Sequence, residues 1–386
     1  MTVAAPARTF GGEIVPLTSI RGIAALMVVL HHYRGQLLPW LDVDASTKIL
    51  ATSWVWVDFF FVLSGFVIAH VYGRGFAAGV RREHALRFYW IRLARIWPLH
   101  LLVLLLLVGV ELLKLHSGGN LAASAFTGAY RPEALATSAL LVHAWGLHEP
   151  TVWNYPSWSI SVEWACYLAA PLLLAAAAAW RRWTLALVLL VAWVLLMLEP
   201  QIMAVLKAEV GGIAWGHLVP FARGAVEFVA GIALWHVWRH VRMPDLLRHA
   251  AFQAGLAVAI VWALHDGWSN AACLPLFLLL ILVCCGSGWL PKSLNTTPLH
   301  WLGEISYSVY LTHALVGMML STKLVQLVPA LAPWREGPGL LLMVGIQLVV
   351  LLVVSTITYR FVEIPARRWM RNLSAPRLRA VAPAAA

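Results

Sequence analysis

The chain has 386 residues, of which 61% are hydrophobic, a mean hydropathy of +0.78 and a formal net charge of +11. A soluble domain of this length does not need so much apolar sequence, and the repeated apolar runs approach the length of about 20 residues that crosses a bilayer as a helix. The excess of positive charge has no soluble face of useful size to occupy, which argues against nucleic-acid binding; an all-α, polytopic transmembrane bundle is expected.

Ten spans are expected, at about 14–36, 52–73, 88–110, 157–178, 183–199, 215–238, 250–265, 271–289, 299–320 and 339–362. With the N-terminus inside and strict alternation, eighteen of the 28 Lys and Arg residues fall in cytoplasmic segments and seven in outer ones, with Arg21, Arg223 and Arg360 inside spans. Cytoplasmic loops of membrane proteins carry the excess of Lys and Arg, so both termini are expected in the cytoplasm.

The first span, IVPLTSIRGIAALMVVLHHY, carries Arg21 and His32 eleven residues apart. Eleven residues come within about 20° of three full helical turns, so both share one face, about 16 Å apart along the axis. His31 is turned away from that line by about 80°. Ionisable residues inside a bilayer are costly and are usually retained for a function.

The second span holds Asp58, expected about two turns below the outer surface. The third opens with FYWIRLARIWPLH, where Arg92 and Arg95 are three apart on one helix face at the cytoplasmic mouth. Paired guanidinium groups suit phosphate recognition. A ligand with a phosphorylated head at this mouth and a long thin arm reaching His32 would fit, and acyl-CoA has that shape. The outer segment at about 114–156 is expected to help form an acceptor site, with Trp145, Trp153 and Trp158 as candidates for stacking on sugar rings.

The fourth span, after NYPSWSISVEWACYL, places Glu163 at about the depth of Asp58, and the ninth, GEISYSVYLTHALV, puts His313 in the outer half. His32, Asp58, Glu163 and His313 are therefore expected in one outer layer, where a carboxylate would orient the His32 ring for general-base work. The four cysteines, Cys166, Cys273, Cys284 and Cys285, all lie in apolar runs and have no disulfide or metal-ligand spacing. No metal and no permanently bound cofactor is expected. The last residues, 371–386, are expected to form a disordered cytoplasmic tail behind a single transmembrane domain at 1–370.

Six segments carry a resemblance: LTSIRGIAALMVVLHHY, VDFFFVLSGFVIAH, FYWIRLARIWPLH, PSWSISVEWACYL, ISYSVYLTHALV and YRFVEIPARRW. Together and in this order they resemble the acyltransferase-3 family of integral membrane O-acyltransferases. The resemblance implies transfer of an acyl group, commonly acetyl, from cytoplasmic acyl-CoA to a hydroxyl of an extracytoplasmic carbohydrate or glycolipid. It implies catalytic roles for His32, Asp58 and Glu163, donor binding by Arg21, Arg92 and Arg95, and supporting roles for Ser161 and His313. The chain departs from the family pattern at His100, where many members have Tyr, and at Ser159-Ile160, which fits the usual WSLS only loosely. Some members carry a fused SGNH domain; this chain is expected to act without one, in a bacterial inner (plasma) membrane. The competing reading is a proton-coupled permease with His32, Asp58 and Glu163 as a relay, although such proteins often show internal repeats and none is found here. The sequence sets no oligomeric state.

Overall fold

The computed structural model describes residues 9–10, 13–38, 40–209, 218–324 and 337–378. After a two-residue antiparallel pairing of Thr9–Phe10 with Glu13–Ile14, the described residues are dominated by helices. The principal ones are α1 (Val15–Leu37), α2 (Trp56–Phe76), α3 (Arg82–Ser117), α4 (Trp158–Ala177), α5 (Arg182–Glu209) and α6 (Val219–His240). These are followed by α7 (Ala250–Asp266), α8 (Asn270–Cys284), α9 (Thr297–Glu304), α10 (Ser306–Met318), α11 (Gly339–Thr358) and α12 (Ile364–Leu378).

Every expected span falls on helix, and the chain is an all-α polytopic membrane protein. Six stretches are long and apolar enough to cross a membrane: Val15–Leu37, Ile49–Phe76, Arg82–Ser117, Tyr155–Ala177, Arg182–Ile202 and Gly339–Leu373. The other four expected spans fall on α6, α7, α8 and the α9–α10 pair, the first residues of the sixth lying outside the described residues. Prolines 98, 171, 200 and 275 sit inside helices. Membrane helices tolerate this because neighbouring groups re-satisfy the freed backbone carbonyls.

Several boundaries differ from expectation, among them the end of α5, which runs to Glu209. Helix α3 begins at Arg82, six residues before the expected span. The ninth span is broken at Ile305 into α9 and α10. The last continues through a π-helical turn at Tyr359–Glu363 into α12, which runs to Leu378. Part of the expected tail is thus helical, and the rest lies outside the described residues.

The chain divides into two compact units. The first comprises Met1–Val67, Arg181–Glu199 and Val226–Ser355; the second Ile68–Trp180, Pro200–Ala225 and Thr356–Ala386.

In the first unit α1 packs most extensively on α9 and α10. Glycines let these backbones meet. A Cβ on Gly303 would lie 2.0 Å from the Thr18 carbonyl oxygen, and one on Gly22 would lie 2.6 Å from the Gly303 nitrogen. Helices α2 and α6 cross in the same manner, since a Cβ on Gly65 would meet the Phe228 carbonyl oxygen at 2.0 Å and one on Gly231 the Val62 carbonyl oxygen at 2.0 Å. Small residues at such crossings allow the close backbone approach on which packing in lipid depends. Near its far end α1 is tied to α11 by a reciprocal amide pair: Gln36 Nε2 donates to Gln347 Oε1 (3.0 Å), and Gln347 Nε2 to Gln36 Oε1 (2.9 Å).

In the second unit α12 lies along α3, and Trp90 Nε1 donates to the Met370 carbonyl at 2.6 Å. The segment between α3 and α4 is folded. Buried Glu111, at the end of α3, pairs with Lys114 at 2.5 Å and accepts from the Phe126 backbone N–H at 2.9 Å. Phe126, Leu141 and Trp153 adopt the left-handed conformation (φ 54°, 59° and 55°), each a local cost that the surrounding packing must offset.

Candidate active site

Arg21 and His32 both turn from α1 toward α9 and α10, as their shared face implies. Arg21 Nε donates to Ser306 Oγ (3.0 Å) and one Nη to the Gly303 carbonyl (2.9 Å). Ser306 Oγ in turn donates to the same carbonyl at 2.7 Å. These contacts fall at the joint between α9 and α10. The last carbonyls of a helix have no partner within it, and Arg21 supplies one.

Three turns along α1, His32 meets His313. The nitrogens His32 Nδ1 and His313 Nε2 are 3.1 Å apart, and the rings stack with centroids at 5.0 Å. His313 is fully buried, whereas His32 is half-buried. His313 Nδ1 donates to the Tyr310 carbonyl at 2.6 Å, and the Tyr33 hydroxyl donates to the His313 carbonyl at 2.8 Å. Gly317 makes room for the Tyr33 ring, because a Cβ there would lie 3.0 Å from Tyr33 Cε1. His31 faces elsewhere, its Nδ1 bonding the Leu50 carbonyl at 2.9 Å.

Asp58 belongs to the same unit. It is buried in α2, next to Phe59, which packs on Phe277 of α8, and it acts electrostatically on Cys273. His313, expected in the same outer layer, is a direct neighbour of His32.

The remaining expected residues belong to the second unit, where Arg92 and Glu163 are linked through a tyrosine. Glu163 accepts a hydrogen bond from the Tyr167 hydroxyl, one turn along α4, and the Tyr167 hydroxyl accepts from Arg92 Nη2 at 2.8 Å. The Arg92 guanidinium also lies 4.5 Å above the Tyr167 ring, a cation–π contact. Arg92, expected at a basic mouth, and Glu163, expected in an outer layer, are thus linked through one tyrosine. Because α3 starts at Arg82, Arg92 lies about 15 Å along its helix, where it reaches Tyr167 midway along α4. Tyr167 was not foreseen, although its spacing of four from Glu163 is the signal that could have found it.

Arg95 is engaged separately. Its Nη1 lies 3.9 Å from Glu363 Oε2, and Arg367 Nη2 lies 3.6 Å from the same oxygen. Three residues apart on one helix, Arg92 and Arg95 thus turn to different neighbours, α4 and the π-turn before α12.

Ser161 anchors the segment before α4. Its Oγ donates to the Leu141 carbonyl (2.8 Å) and accepts from the Ala144 N–H (3.1 Å), and its carbonyl accepts from Trp145 Nε1 (3.0 Å). Nearby, Ser157 Oγ donates to the Asn154 carbonyl at 2.7 Å and faces His143 Nε2 at 3.2 Å. Burial, with His100 and His148 beside it, pushes His143 down to about 3, so its ring is neutral. Trp153 is buried against Phe126 and Tyr130, with its indole N–H on the Arg131 carbonyl at 3.2 Å. It holds its own segment together and has no face to offer a sugar. Trp145 and Trp158 are half-buried. The four cysteines are free thiols, and among the described residues no group of three or more His, Cys, Asp or Glu is arranged to hold a metal ion.

A helical membrane fold with an imidazole pair between α1 and α10 and an arginine–tyrosine–glutamate chain on α3 and α4 is the frame on which the comparisons with known proteins bear. The family model of the acyltransferase-3 domain, described as an acyltransferase domain, matches residues 17–360, and the chain belongs to that family. It is similar to acyltransferase MdmB of Streptomyces mycarofaciens, 36% identical over 163 residues covering 40% of this chain and 38% of that protein. It is also similar to the putative peptidoglycan O-acetyltransferase YrhL of Bacillus subtilis (strain 168), 22% identical over 382 residues covering 91% of this chain and 54% of the relative. The chain thus spans about half or less of the length of these curated relatives. No solved structure matches it.

Proposed function

We propose that the protein is a membrane-embedded O-acyltransferase that moves an acyl group, acetyl in the simplest case, from acyl-CoA to a hydroxyl of an extracytoplasmic carbohydrate. The observation that carries this reading is the buried partner of His32: an intramembrane imidazole held by a second imidazole, in a chain of the acyltransferase-3 family. His32 takes the proton from the acceptor hydroxyl as its oxygen attacks the thioester carbonyl. The carbon–sulfur bond then breaks, and CoA leaves as the thiol after taking up a proton. A base of this kind contributes about 10²–10⁴-fold to rate.

Arg92 and Arg95 are the proposed donor-binding groups, with guanidinium charges suited to CoA phosphates. Arg21 belongs to the same path. Its hydrogen bonds to Gly303 and Ser306 favour a role in holding the helix joint on which His32 depends. Asp58 and Glu163 stay in the proposed catalytic set, Glu163 through Tyr167 and Arg92. Ser161 supports the acceptor side by pinning residues 141–145. A glycan acceptor is favoured by the name of the Bacillus relative. The membrane is proposed to be a bacterial inner membrane.

Membranes containing the protein are expected to bind acetyl-CoA and to hydrolyse it slowly when no acceptor is added. The assay is release of free CoA thiol, compared with membranes lacking the protein. A proton-coupled permease would show neither activity, and equal thiol release from the two membranes would refute the proposal.

A further inference from the structure

We infer that His313 is a positioning residue that fixes the tautomer of His32, so that Nε2 of His32 is the nitrogen that takes the acceptor's proton. The inference rests on the reading of His32 as the base and adds to it which atom reacts and what sets it.

The Tyr310 carbonyl has only lone pairs, so His313 Nδ1, 2.6 Å away, must carry the hydrogen. A neutral imidazole has a single N–H, which leaves His313 Nε2 as an acceptor. His313 is fully buried, and a buried cation is costly unless it is paired, which favours the neutral ring. His32 Nδ1, at 3.1 Å from His313 Nε2, is therefore the donor in that bond. In neutral His32 the lone pair must then reside on Nε2.

The His313 ring is itself held. The Tyr33 hydroxyl donates to its backbone carbonyl, Gly317 admits the Tyr33 ring beside it, and Arg21 fixes the start of α10 through Ser306 and Gly303. His32 and Arg21 are both on α1, and His313 and Ser306 are both on α10. Two contacts between the same pair of helices therefore set the imidazole pair. The arrangement parallels the buried acid of a serine-protease triad, which holds its histidine in one tautomer; losing that tautomer there costs about 10⁴-fold in turnover.

The test uses the full-length protein labelled with ¹⁵N-histidine in lipid nanodiscs. The His32 signals are identified by their absence from the spectrum of His32→Gln. The expected result is a protonated Nδ1 and an unprotonated Nε2 at neutral pH. A protonated Nε2 in the wild type overturns the inference whatever the variants do.

His313→Leu removes the imidazole acceptor and leaves the backbone contact of the His32 ring with Val28 in place. It is expected to move the proton of His32 toward Nε2 and to lower acyl transfer by about 10²-fold or more at unchanged KM for the donor. His313→Gln places a carbonyl oxygen near the lost nitrogen and is expected to restore the Nδ1–H signal and at least tenfold of the lost rate. Equal activity of the two variants, with the His32 spectrum unchanged in both, also overturns the inference. If the spectra behave as expected but His32→Ala still transfers acyl groups at the wild-type rate, the tautomer assignment stands and the base assignment falls.

Discussion

Replacing His32 with alanine is expected to lower acyl transfer by about 10²–10⁴-fold, the contribution of a general base, while leaving the protein inserted and folded. The ring is half-buried, and α1 keeps its other attachments without it: Arg21 to Gly303 and Ser306, Tyr33 to the His313 carbonyl, and Gln36 to Gln347. His31→Ala is the matched control. Its ring bonds the Leu50 carbonyl and takes no part in the pair with His313, so its transfer rate is expected to stay within about tenfold of wild type. Both variants are checked by transfer of labelled acetyl to the acceptor, alongside gel filtration in detergent. Similar losses in the two variants would mean that the effect is structural and would remove His32 from the chemistry.

The largest expected effect on folding comes from Gly303→Val. The side chain would grow directly into the backbone of α1, where a Cβ already lies 2.0 Å from the Thr18 carbonyl oxygen and 2.8 Å from Thr18 Cγ2. Overpacking by extra methylenes commonly costs about 1–3 kcal/mol. Here the clash is with backbone, which cannot swing aside as a flexible side chain can. The helices must part, and the Arg21 bond to the Gly303 carbonyl is lost with them. The variant is expected to aggregate on extraction or to melt well below wild type. Gly345→Val on α11 is the comparison, since a Cβ there meets nothing within 4 Å and little change is expected. Thermal melts of the two in the same detergent decide the matter: coincident curves would contradict the close α1–α9 packing.

Hydropathy carried most of the fold, because a helix that must satisfy its own backbone in lipid leaves a long apolar run in the sequence. It did not carry the breaks. The interruption at Ile305 coincides with a carbonyl, Gly303, that is hydrogen-bonded by Arg21 from 282 residues away, and nothing in the local sequence reports such a partner. The early start of α3 was hidden for a different reason: Arg82 to Arg87 are too polar to score as a span, yet they extend the helix.

The helix geometry of Arg21 and His32 was legible, and so was the contrast with His31. The partners were less so. A histidine was expected to be oriented by a carboxylate, the commoner arrangement, and His313 was read only as a supporting residue. The bond that joins the two rings spans 281 residues, and helical periodicity says nothing about such a distance. Glu163 accepts from Tyr167, a local pairing that the spacing of four in α4 could have revealed. Arg92 and Arg95 were read as a pair on one helix face from their spacing of three, and that spacing does not report their contacts, Tyr167 for Arg92 and Glu363 for Arg95.

The central claim is that this chain puts acyl groups on a glycan and that His32 is needed for it. Mass analysis of surface glycans tests it most directly, comparing cells that express the protein, cells that lack it, and cells that express His32→Ala at the same level in the membrane. Glycan species heavier by one acetyl group per modified sugar are expected in the first population only. Glycans of identical mass with and without the protein, or full acetylation by His32→Ala, would contradict it.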